Sequence, residues 1–466
     1  MVQSTAPRLR FQLFRLQRPA AAEPGLGLDG ILPEAMVRQV LEEEGARWKR
    51  IFYTPWLTFW AFFWQALSPD HSCRAAIKRI AAWLGLHDRE MDDEDTGPYC
   101  KARARLPESV PFRLMRSLGR RLHDELPEDW LWCRRRVKVV DGTTVSMPDT
   151  AANQREYPQS PSQKPGLGFP IARMVVVFCL ASGAALEAAL GKYQGKQTGE
   201  NALFRRTWEG LSAGDVVLGD RYYGSYFDLA LLRRRGVDSV CRLHQLRATD
   251  FRRGRRLGKE DHIVSWPKPD RPDWMDEATY ESLPGEMEVR VVRVHVAVPG
   301  FRTRVLDLVT TLLDADKYKK KDLADLYRRR WEAELHLRSI KVVLGLDVLR
   351  CKAPELVRKE LGMGLLGYNV IRAMMVAGCK AHGRAPHRVS FKGSLQGLLA
   401  FADGLRDGTP EQRRFLWSIL LRSVAADGVG HRPDRVEPRA VKRRPKPHDL
   451  LMVPRRQAKA ALLRAG

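Results

Sequence analysis

Apolar residues recur at helical spacing through the first part of the chain. From Trp56 to Leu67 they stand three and four positions apart, which predicts a buried core helix. A membrane-spanning helix needs about 20 apolar residues, so this segment is too short to cross a bilayer. Further helices are predicted from Ser72 and from Pro107 to Leu126, whereas residues 1–32, rich in Ala, Pro, Gly and Arg, predict a loose lead-in. We therefore expect a helical N-terminal domain over residues 1–130.

Short β-branched runs then replace the helical spacing. The order is three strands, then a helix, a strand, a helix and a strand, which predicts an α/β layer around a mixed sheet. The predicted strands are Val137–Val140, Ile171–Leu180, Ala184–Leu190, Asp215–Leu218 and Val237–Leu243, and the predicted helices are Asn201–Leu211 and Tyr226–Arg235.

A different pattern interrupts this layer over residues 246–314. It opens on a basic, glycine-broken stretch with seven basic residues and one acidic residue between Arg242 and Lys259. This stretch is expected to be either a DNA-facing loop or a solvated turn. Two long β-branched segments follow and predict a hairpin that turns at Pro299-Gly300. Helices are then predicted over Lys321–Leu344 and from Pro354 to Ala377.

These patterns predict a chain of four parts. A catalytic α/β domain is split around a β-rich insertion, between the helical N-terminal domain and a helical, basic C-terminal region. The expected boundaries are 1–130 for the N-terminal domain, 131–245 with 315–380 for the α/β domain, 246–314 for the insertion and 381–466 for the C-terminal region.

The charge balance favours a polyanionic partner. Eighty Lys and Arg against 55 Asp and Glu leave a net charge of +25, and 44% hydrophobic residues are enough for a real core. The last 35 residues alone carry 11 basic and three acidic side chains. Such a surplus is typical of proteins that bind DNA, RNA or an acidic membrane surface.

Composition also excludes several classes of site. The seven cysteines are scattered without a C-x-x-C pair, which argues against a disulfide framework or a structural zinc site. No apolar segment follows the N-terminal arginines, so we expect no signal peptide and a cytoplasmic, nucleoid-associated protein. Gly195-Lys196 fails as a phosphate loop because Gln197 follows it and Leu190 stands where glycine is needed, so no nucleotide is expected.

The helix predicted at Lys321–Leu344 combines a carboxylate with cations. At about 100° per residue, one face roughly 100° wide carries a tyrosine, a glutamate and several basic residues. They are Tyr327, Arg330, Glu334, Arg338 and Lys341. Apolar residues lie beside this stripe, which predicts a helix docked on a core with its carboxylate at a cleft edge. Taken alone, the stripe also fits a solvated face held by i,i+4 ion pairs.

Two further carboxylates favour the cleft. Asp141 ends the first predicted strand and Asp220 follows the strand Asp215–Leu218. Carboxylates at neighbouring strand ends facing Glu334 would repel one another, and a divalent cation would remove that penalty. Mg²⁺ prefers oxygen ligands, and two such ions a few ångströms apart suit phosphodiester transfer.

These residues together resemble the DDE transposases of the insertion-sequence-four type. Tyr327-x2-Arg330-x3-Glu334-x6-Lys341 resembles that family's YREK signature. Two more blocks resemble those carrying its aspartates, Asp141-Gly142-Thr143-Thr144 and Gly219-Asp220-Arg221-Tyr222-Tyr223-Gly224. Further resemblances lie at 96–103, 164–170, 437–439 and 442–446.

The resemblance implies a ribonuclease-H-like core with a β-rich insertion and a cut-and-paste reaction on double-stranded DNA. Asp141 would bridge two Mg²⁺ ions (Mn²⁺ is possible), with Asp220 on one and Glu334 on the other. A freed 3′-OH would form a hairpin at the transposon end and later attack target DNA. The DNA-contacting residues would be Tyr327, Arg330, Lys341, Arg221 and Arg338. The relatives pair two transposon ends in a homodimer, and their N-terminal helices read the terminal inverted repeats.

Two other functions remain open from the sequence: a transposase-derived DNA-binding protein that no longer cuts, and a metal-dependent nuclease without strand transfer. Arg221 has an alternative role as a sheet-edge ion pair. Some relatives hold a flipped base with a tryptophan of the insertion, but Trp266 and Trp274 match no motif, and we expect both to be packing residues. His336 points away from the stripe and is not expected to be a base.

Overall fold

A computed structural model describes residues 24–48, 52–247, 249–296, 305–430 and 450–465. Parts of four predictions lie outside these ranges. They are most of the lead-in 1–32, the turn at Pro299-Gly300, and the segments 437–439 and 442–446 of the basic tail.

Five helices are described in the N-terminal part, over residues 24–48 and 52–130. They are α1 (Glu34–Glu43), α2 (Pro55–Leu67), α3 (Cys73–Gly85), α4 (Thr96–Arg105) and α5 (Ser109–Asp124). The Thr54 hydroxyl caps α2 by accepting a hydrogen bond from the Leu57 amide, and every residue from Trp56 to Leu67 is buried, as the spacing predicted. Helix α4 was not predicted, because it buries only Tyr99, Ala102 and Arg103 and so has too few apolar positions to show a period.

Nine strands form one mixed sheet in the order β3-β2-β1-β4-β5-β9-β8-β7-β6. The strands are β1 (Val137–Ser146), β2 (Ile171–Cys179), β3 (Ala185–Lys192), β4 (Val216–Gly219), β5 (Asp238–Arg242), β6 (Arg255–Gly258), β7 (Asp261–Pro267), β8 (Glu286–His295) and β9 (Val305–Thr310). Strands β1 to β3 pair antiparallel, and β1, β4 and β5 pair parallel. This is the strand arrangement of a ribonuclease-H-like core, so the predicted α/β class is confirmed.

The insertion extends this sheet. Strand β9 pairs antiparallel with both β5 and β8, so that Thr310 lies between Val240 and Arg290. The strands after β5 therefore continue the catalytic sheet at its far edge, with a short helix α9 (Glu277–Glu281) between β7 and β8. The domain boundaries given above remain predictions.

Helices cover both faces of the sheet. On one face lie α7 (Glu200–Arg205) and α8 (Tyr226–Arg234), whose apolar residues share a cluster with Val140 of β1. Helix α7 is shorter than the predicted Asn201–Leu211, because a separate 3-10 turn forms at Trp208–Gly210. On the other face, the N-terminal helices and the helices after the insertion share one continuous cluster with Val139.

The helix predicted over Lys321–Leu344 is interrupted, which corrects that prediction. It consists of α10 (Lys320–Arg329), α11 (Trp331–Arg338) and a π-helical turn at Ser339–Val343. The interruption falls at Arg330, whose amide donates to the Tyr327 carbonyl, three residues back, at 3.1 Å. A π turn inside a helix is often found at functional sites.

Helix α12 (Pro354–His382) crosses the middle of the core. Gly383, with a φ of 62°, ends it in the left-handed conformation. Among the described helices it alone is long and apolar enough to cross a membrane, and 94% of its most apolar window is buried inside the protein. The remaining helices are α6 (Ala151–Glu156), α13 (Phe391–Asp407), α14 (Pro410–Ala426) and α15 (Arg455–Ala465).

Candidate active site

Asp141 and Asp220 lie at the same edge of the parallel strand pair. The pairing of β1 with β4 ends at Val139 and Leu218, and each aspartate stands two residues further on. Asp141 does not end its strand, contrary to expectation, because β1 continues along β2, where Asp141 pairs with Val176. The two carboxylates nevertheless meet, since both follow the last parallel pair at one end of the sheet.

Helix α11 brings Glu334 to this edge by packing its buried side, including Ala333 and Leu337, against the core beside β1. Arg330 lies between the carboxylates. Its Nη2 donates to Glu334 Oε1 at 2.7 Å, and its Nη1 lies 3.9 Å from Asp141 Oδ2. One guanidinium therefore links two of the three predicted metal ligands.

Lys341 faces the active-site strand. Its Nζ donates to Thr143 Oγ1 at 3.1 Å, two residues from Asp141. The segment after the π turn is also tied to β1, because the Ser146 amide donates to the Asp347 carbonyl at 3.0 Å. The π turn and these bonds hold the Lys341 ammonium next to the carboxylates.

Burial raises the pKa of Asp141 to about 6. The negative charges of Glu334 and Asp220 raise the pKa further, whereas the Gly142 amide and the Arg330 guanidinium lower it. Burial also raises the pKa of Tyr327 to about 12, against a lowering by Arg330. The site therefore disfavours negative charge unless a cation is present.

The remaining predicted DNA contacts lie around this site. The Arg221 guanidinium donates to Gln245 Oε1 at 2.5 Å, and it forms no ion pair within the described ranges, so the alternative sheet-edge ion pair is not formed there. Arg338 is exposed at the end of α11. Tyr327 is partly buried and packs against the main core.

The donor set suits a hard divalent cation, since all three predicted ligands are carboxylates and burial raises the pKa of Asp141, which a nearby cation would lower. Within the part of the chain that the structure describes, no three carboxylate, imidazole or thiol groups are already gathered closely enough to hold a metal. In this arrangement Glu334 is bonded to the Arg330 guanidinium.

The two tryptophans of the insertion pack as expected. Trp266 is buried and lies under the Arg247 guanidinium, 3.7 Å from the ring centroid. Trp274 stacks with Arg205 at 3.5 Å and meets Phe227 edge-on.

The sequence interpretation missed three residues at the site. Thr143 is the partner of Lys341, Glu200 packs against Gly142, and the buried Tyr223 ring lies behind the aspartates. Thr143 and Tyr223 lie within the two sequence blocks that contain Asp141 and Asp220. Their closeness in sequence to these aspartates could have identified them as site residues. For Glu200 the only sequence indication was its position in the first turn of the helix that follows the third strand.

Comparison with known proteins identifies the family. A family model described as the transposase DDE domain matches residues 132–370. The chain belongs to this family. It is 28% identical over 359 residues to the transposase InsG of insertion sequence element IS4 from Escherichia coli K12, which covers 74% of this chain and 76% of InsG.

Shorter matches point the same way. The chain is 42% identical over 59 residues, 13% of its length, to the putative transposase InsL of IS186A from Escherichia coli K12. It is equally similar over 59 residues to the transposase of IS421 from Escherichia coli. Each match covers 16% of the relative.

Among solved structures, a piggyBac transposase in a synaptic complex with hairpin DNA aligns with a TM-score of 0.42 and 10% identity, covering 90% of this chain and 89% of that one.

The family assignment confirms the predicted activity. The protein is a DDE transposase of the IS4 type, an enzyme that acts on DNA. The DDE domain implies dependence on a divalent metal ion.

Proposed function

We propose that this transposase excises and reinserts an insertion sequence by a cut-and-paste reaction through a DNA hairpin, at a site formed by Asp141, Asp220 and Glu334. The observation that carries the proposal is the convergence of these carboxylates at one sheet edge, with Arg330 and Lys341 beside them. Each step is a phosphoryl transfer, so one site serves cleavage, hairpin formation and strand transfer.

Asp141 would hold two Mg²⁺ ions jointly, with Asp220 completing one and Glu334 the other. Such ions supply a polarised attacking oxygen and charge stabilisation for the leaving oxygen. The role of the chain is to supply oxygen ligands whose ionisation is disfavoured until a cation arrives, as the raised pKa of Asp141 indicates.

Arg330 has two tasks in this proposal. It neutralises Glu334 and Asp141 before the metal binds, across contacts of 2.7 Å and 3.9 Å. It then releases Glu334 and turns to a DNA phosphate, because a guanidinium binds phosphate oxygens as well as carboxylates.

The other predicted contact residues would bind the DNA backbone around the cut. Lys341 donates to Thr143, two residues from Asp141, and Tyr327 is partly buried in α10, the helix that precedes Arg330. Arg221 is partly exposed and Arg338 is exposed. Phosphate contacts fix the position of the strand without reading its sequence. Sequence reading is assigned to the N-terminal helices of residues 1–130, and two protomers would pair two ends as a homodimer in the bacterial cytoplasm, at the nucleoid.

The experiment uses the purified full chain, Mg²⁺ and end-labelled DNA carrying the terminal repeats of its own element. Asp141→Asn, Asp220→Asn and Glu334→Gln are each expected to abolish end cleavage. Asp325→Asn, on the exposed side of α10, is the matched control and should cleave normally. Cleavage by the three active-site variants, or none by the parent protein, would overturn the proposal. Cleavage without joining would identify a nuclease, and binding without cleavage an inactive derivative.

A further inference from the structure

A fourth carboxylate, that of Glu200, approaches the same edge from the opposite face of the sheet. Glu200 stands in the first turn of α7, and Leu203 of that helix belongs to the cluster that contains Val140. The helix of Glu334 packs instead with the cluster that contains Val139. Because successive side chains of a strand point to opposite faces, the two glutamates enclose β1 from both sides.

Gly142 allows this approach. A Cβ atom built on Gly142 would lie 2.6 Å from Glu200 Cδ and 3.0 Å from its Oε1, closer than real carbon contacts allow. The carboxyl group of Glu200 therefore rests directly on the backbone next to Asp141. A side chain at position 142 would displace it, which is a physical reason for glycine after this aspartate.

Glu200 has only a long ion pair with Arg173 among the described residues. The Arg173 Nε lies 4.0 Å from Glu200 Oε1, and its guanidinium donates at 3.0 Å to the Thr198 carbonyl. Burial and the charge of Asp220 raise the pKa of Glu200, although Arg173 and the Tyr223 hydroxyl lower it. The side chain thus lies near enough to Asp220 for the two carboxylates to repel each other.

Tyr223 supplies an independent sign of a missing partner. Its side chain is only 1% exposed, and its hydroxyl makes no hydrogen bond of ordinary geometry to any described residue. It approaches Glu200, and burial together with the charges of Glu200, Asp141 and Asp220 raises its pKa well above the usual value. A buried hydroxyl that lacks a well-formed hydrogen bond is costly, and Glu200 is the carboxylate within its reach.

We propose that Glu200 is a fourth acidic residue of the metal centre, binding through a water molecule the divalent cation that Asp141 and Asp220 hold. Mg²⁺ characteristically keeps several of its waters, and outer carboxylates orient them. The Tyr223 hydroxyl would hydrogen-bond to the same hydration shell. Glu200 is accordingly a positioning residue, and the inference rests on the proposed metal-binding role of Asp141 and Asp220.

The first test is calorimetric titration of the full chain with Mn²⁺ in the absence of DNA. Glu200→Gln keeps the size of the side chain over Gly142 and is expected to weaken Mn²⁺ binding about tenfold, the scale of outer-ligand changes at metal sites. Glu209→Gln removes an equal charge from an exposed position nine residues further along the chain, and should bind Mn²⁺ as the parent protein does. Equal affinity of Glu200→Gln and the parent would overturn the inference.

The second test separates metal positioning from a structural role. Gly142→Ala is expected to weaken Mn²⁺ binding by displacing Glu200, and to add no further loss when combined with Glu200→Ala, which removes the obstructing carboxyl group. Such non-additivity requires that the two residues act together. Full additivity of the two changes would count against the proposal even where both proteins fold.

Mn²⁺ binding by Asp220→Asn distinguishes failure of the Glu200 inference from failure of the proposed active site. Loss of Mn²⁺ binding in Asp220→Asn with none in Glu200→Gln would leave the proposed active site standing and remove Glu200 from it. Parent-like Mn²⁺ binding by Asp220→Asn would instead contradict the proposed active site itself.

Discussion

Arg330 shows how much a single side chain decides at this site. Its guanidinium bonds Glu334 at 2.7 Å and lies 3.9 Å from Asp141, so it is the counter-ion of two carboxylates that a metal must also share. The helical stripe predicted the pairing with Glu334, four residues away. It could not predict the contact with Asp141, because that contact depends on how α11 docks across β1.

His336 gives a residue-scale prediction about pH. It is buried between Phe178 and Tyr368, and burial together with the charges of Arg372 and Arg329 lowers its pKa well below the usual value. The folded protein therefore keeps this imidazole neutral, whereas the unfolded chain takes up a proton below about pH 6.5. Stability from this group is present above that pH and is lost as the pH falls, by up to about 1.4 kcal/mol per unit.

The measurement is the free energy of urea unfolding at pH 7 and pH 5. His336→Gln removes the titrating group, so its stability should fall less between the two pH values than that of the parent protein. His382→Gln, an exposed residue at the end of α12, is the control and should behave as the parent does. Identical pH dependence in all three proteins would show that protonation of His336 does not contribute to the loss of stability at low pH.

At the scale of elements, apolar spacing was a good guide to what is buried and a poor guide to where a helix is interrupted. Leu326, Ala333, Ile340 and Leu344 are all buried, as the stripe predicted. The interruption at Arg330 and the π turn do not change that spacing, so the pattern of apolar residues could not predict them. They follow from the contacts of Arg330 and Lys341 with β1.

A buried ion pair within the insertion also contacts the segment that precedes α10. Arg290 of β8 is fully buried, donates to both carboxylate oxygens of Asp261 at 2.7 Å and 2.6 Å, and also bonds the Tyr318 carbonyl at 2.7 Å, just before α10. Removing one partner of such a pair leaves an uncompensated buried charge. We expect Arg290→Met to lower the free energy of unfolding by about 3–5 kcal/mol.

A double variant tests that explanation. Adding Asp261→Leu to Arg290→Met removes the stranded carboxylate, and most of the lost stability should return. Arg252→Met is the matched control, since Arg252 pairs with Asp250 on an exposed turn and should change little. Urea unfolding of the parent, Arg290→Met, Asp261→Leu and the double variant gives the coupling energy. A double variant no more stable than Arg290→Met would place the loss in packing rather than in charge.

At the scale of the whole molecule, one hydrophobic cluster runs from the N-terminal helices through the sheet to α12 and α13. Composition predicted a core and a polyanionic partner, and strand spacing predicted the mixed sheet. The strand order was beyond reach, because the insertion joins the sheet through β9 and β5, whose pairing links Thr310 with Val240 across 70 residues. Such pairings depend on three-dimensional closure and leave no local pattern.

The net charge of +25 gives a prediction for the intact enzyme on DNA. Neutralising phosphates releases condensed counterions, so the logarithm of affinity falls linearly with the logarithm of salt concentration, by about 0.9 for each phosphate contacted. Lys341→Ala should weaken binding of cut transposon ends and reduce that slope by about one phosphate unit. Lys321→Ala, which removes an equal charge from the exposed first turn of α10, should leave the slope unchanged.

Fluorescence anisotropy across a salt series measures the affinity and its salt slope. Ca²⁺ replaces Mg²⁺ in these experiments so that the DNA ends are not cut further. If Lys341→Ala and Lys321→Ala share the parent's slope, Lys341 is held by Thr143 for structural reasons and touches no phosphate.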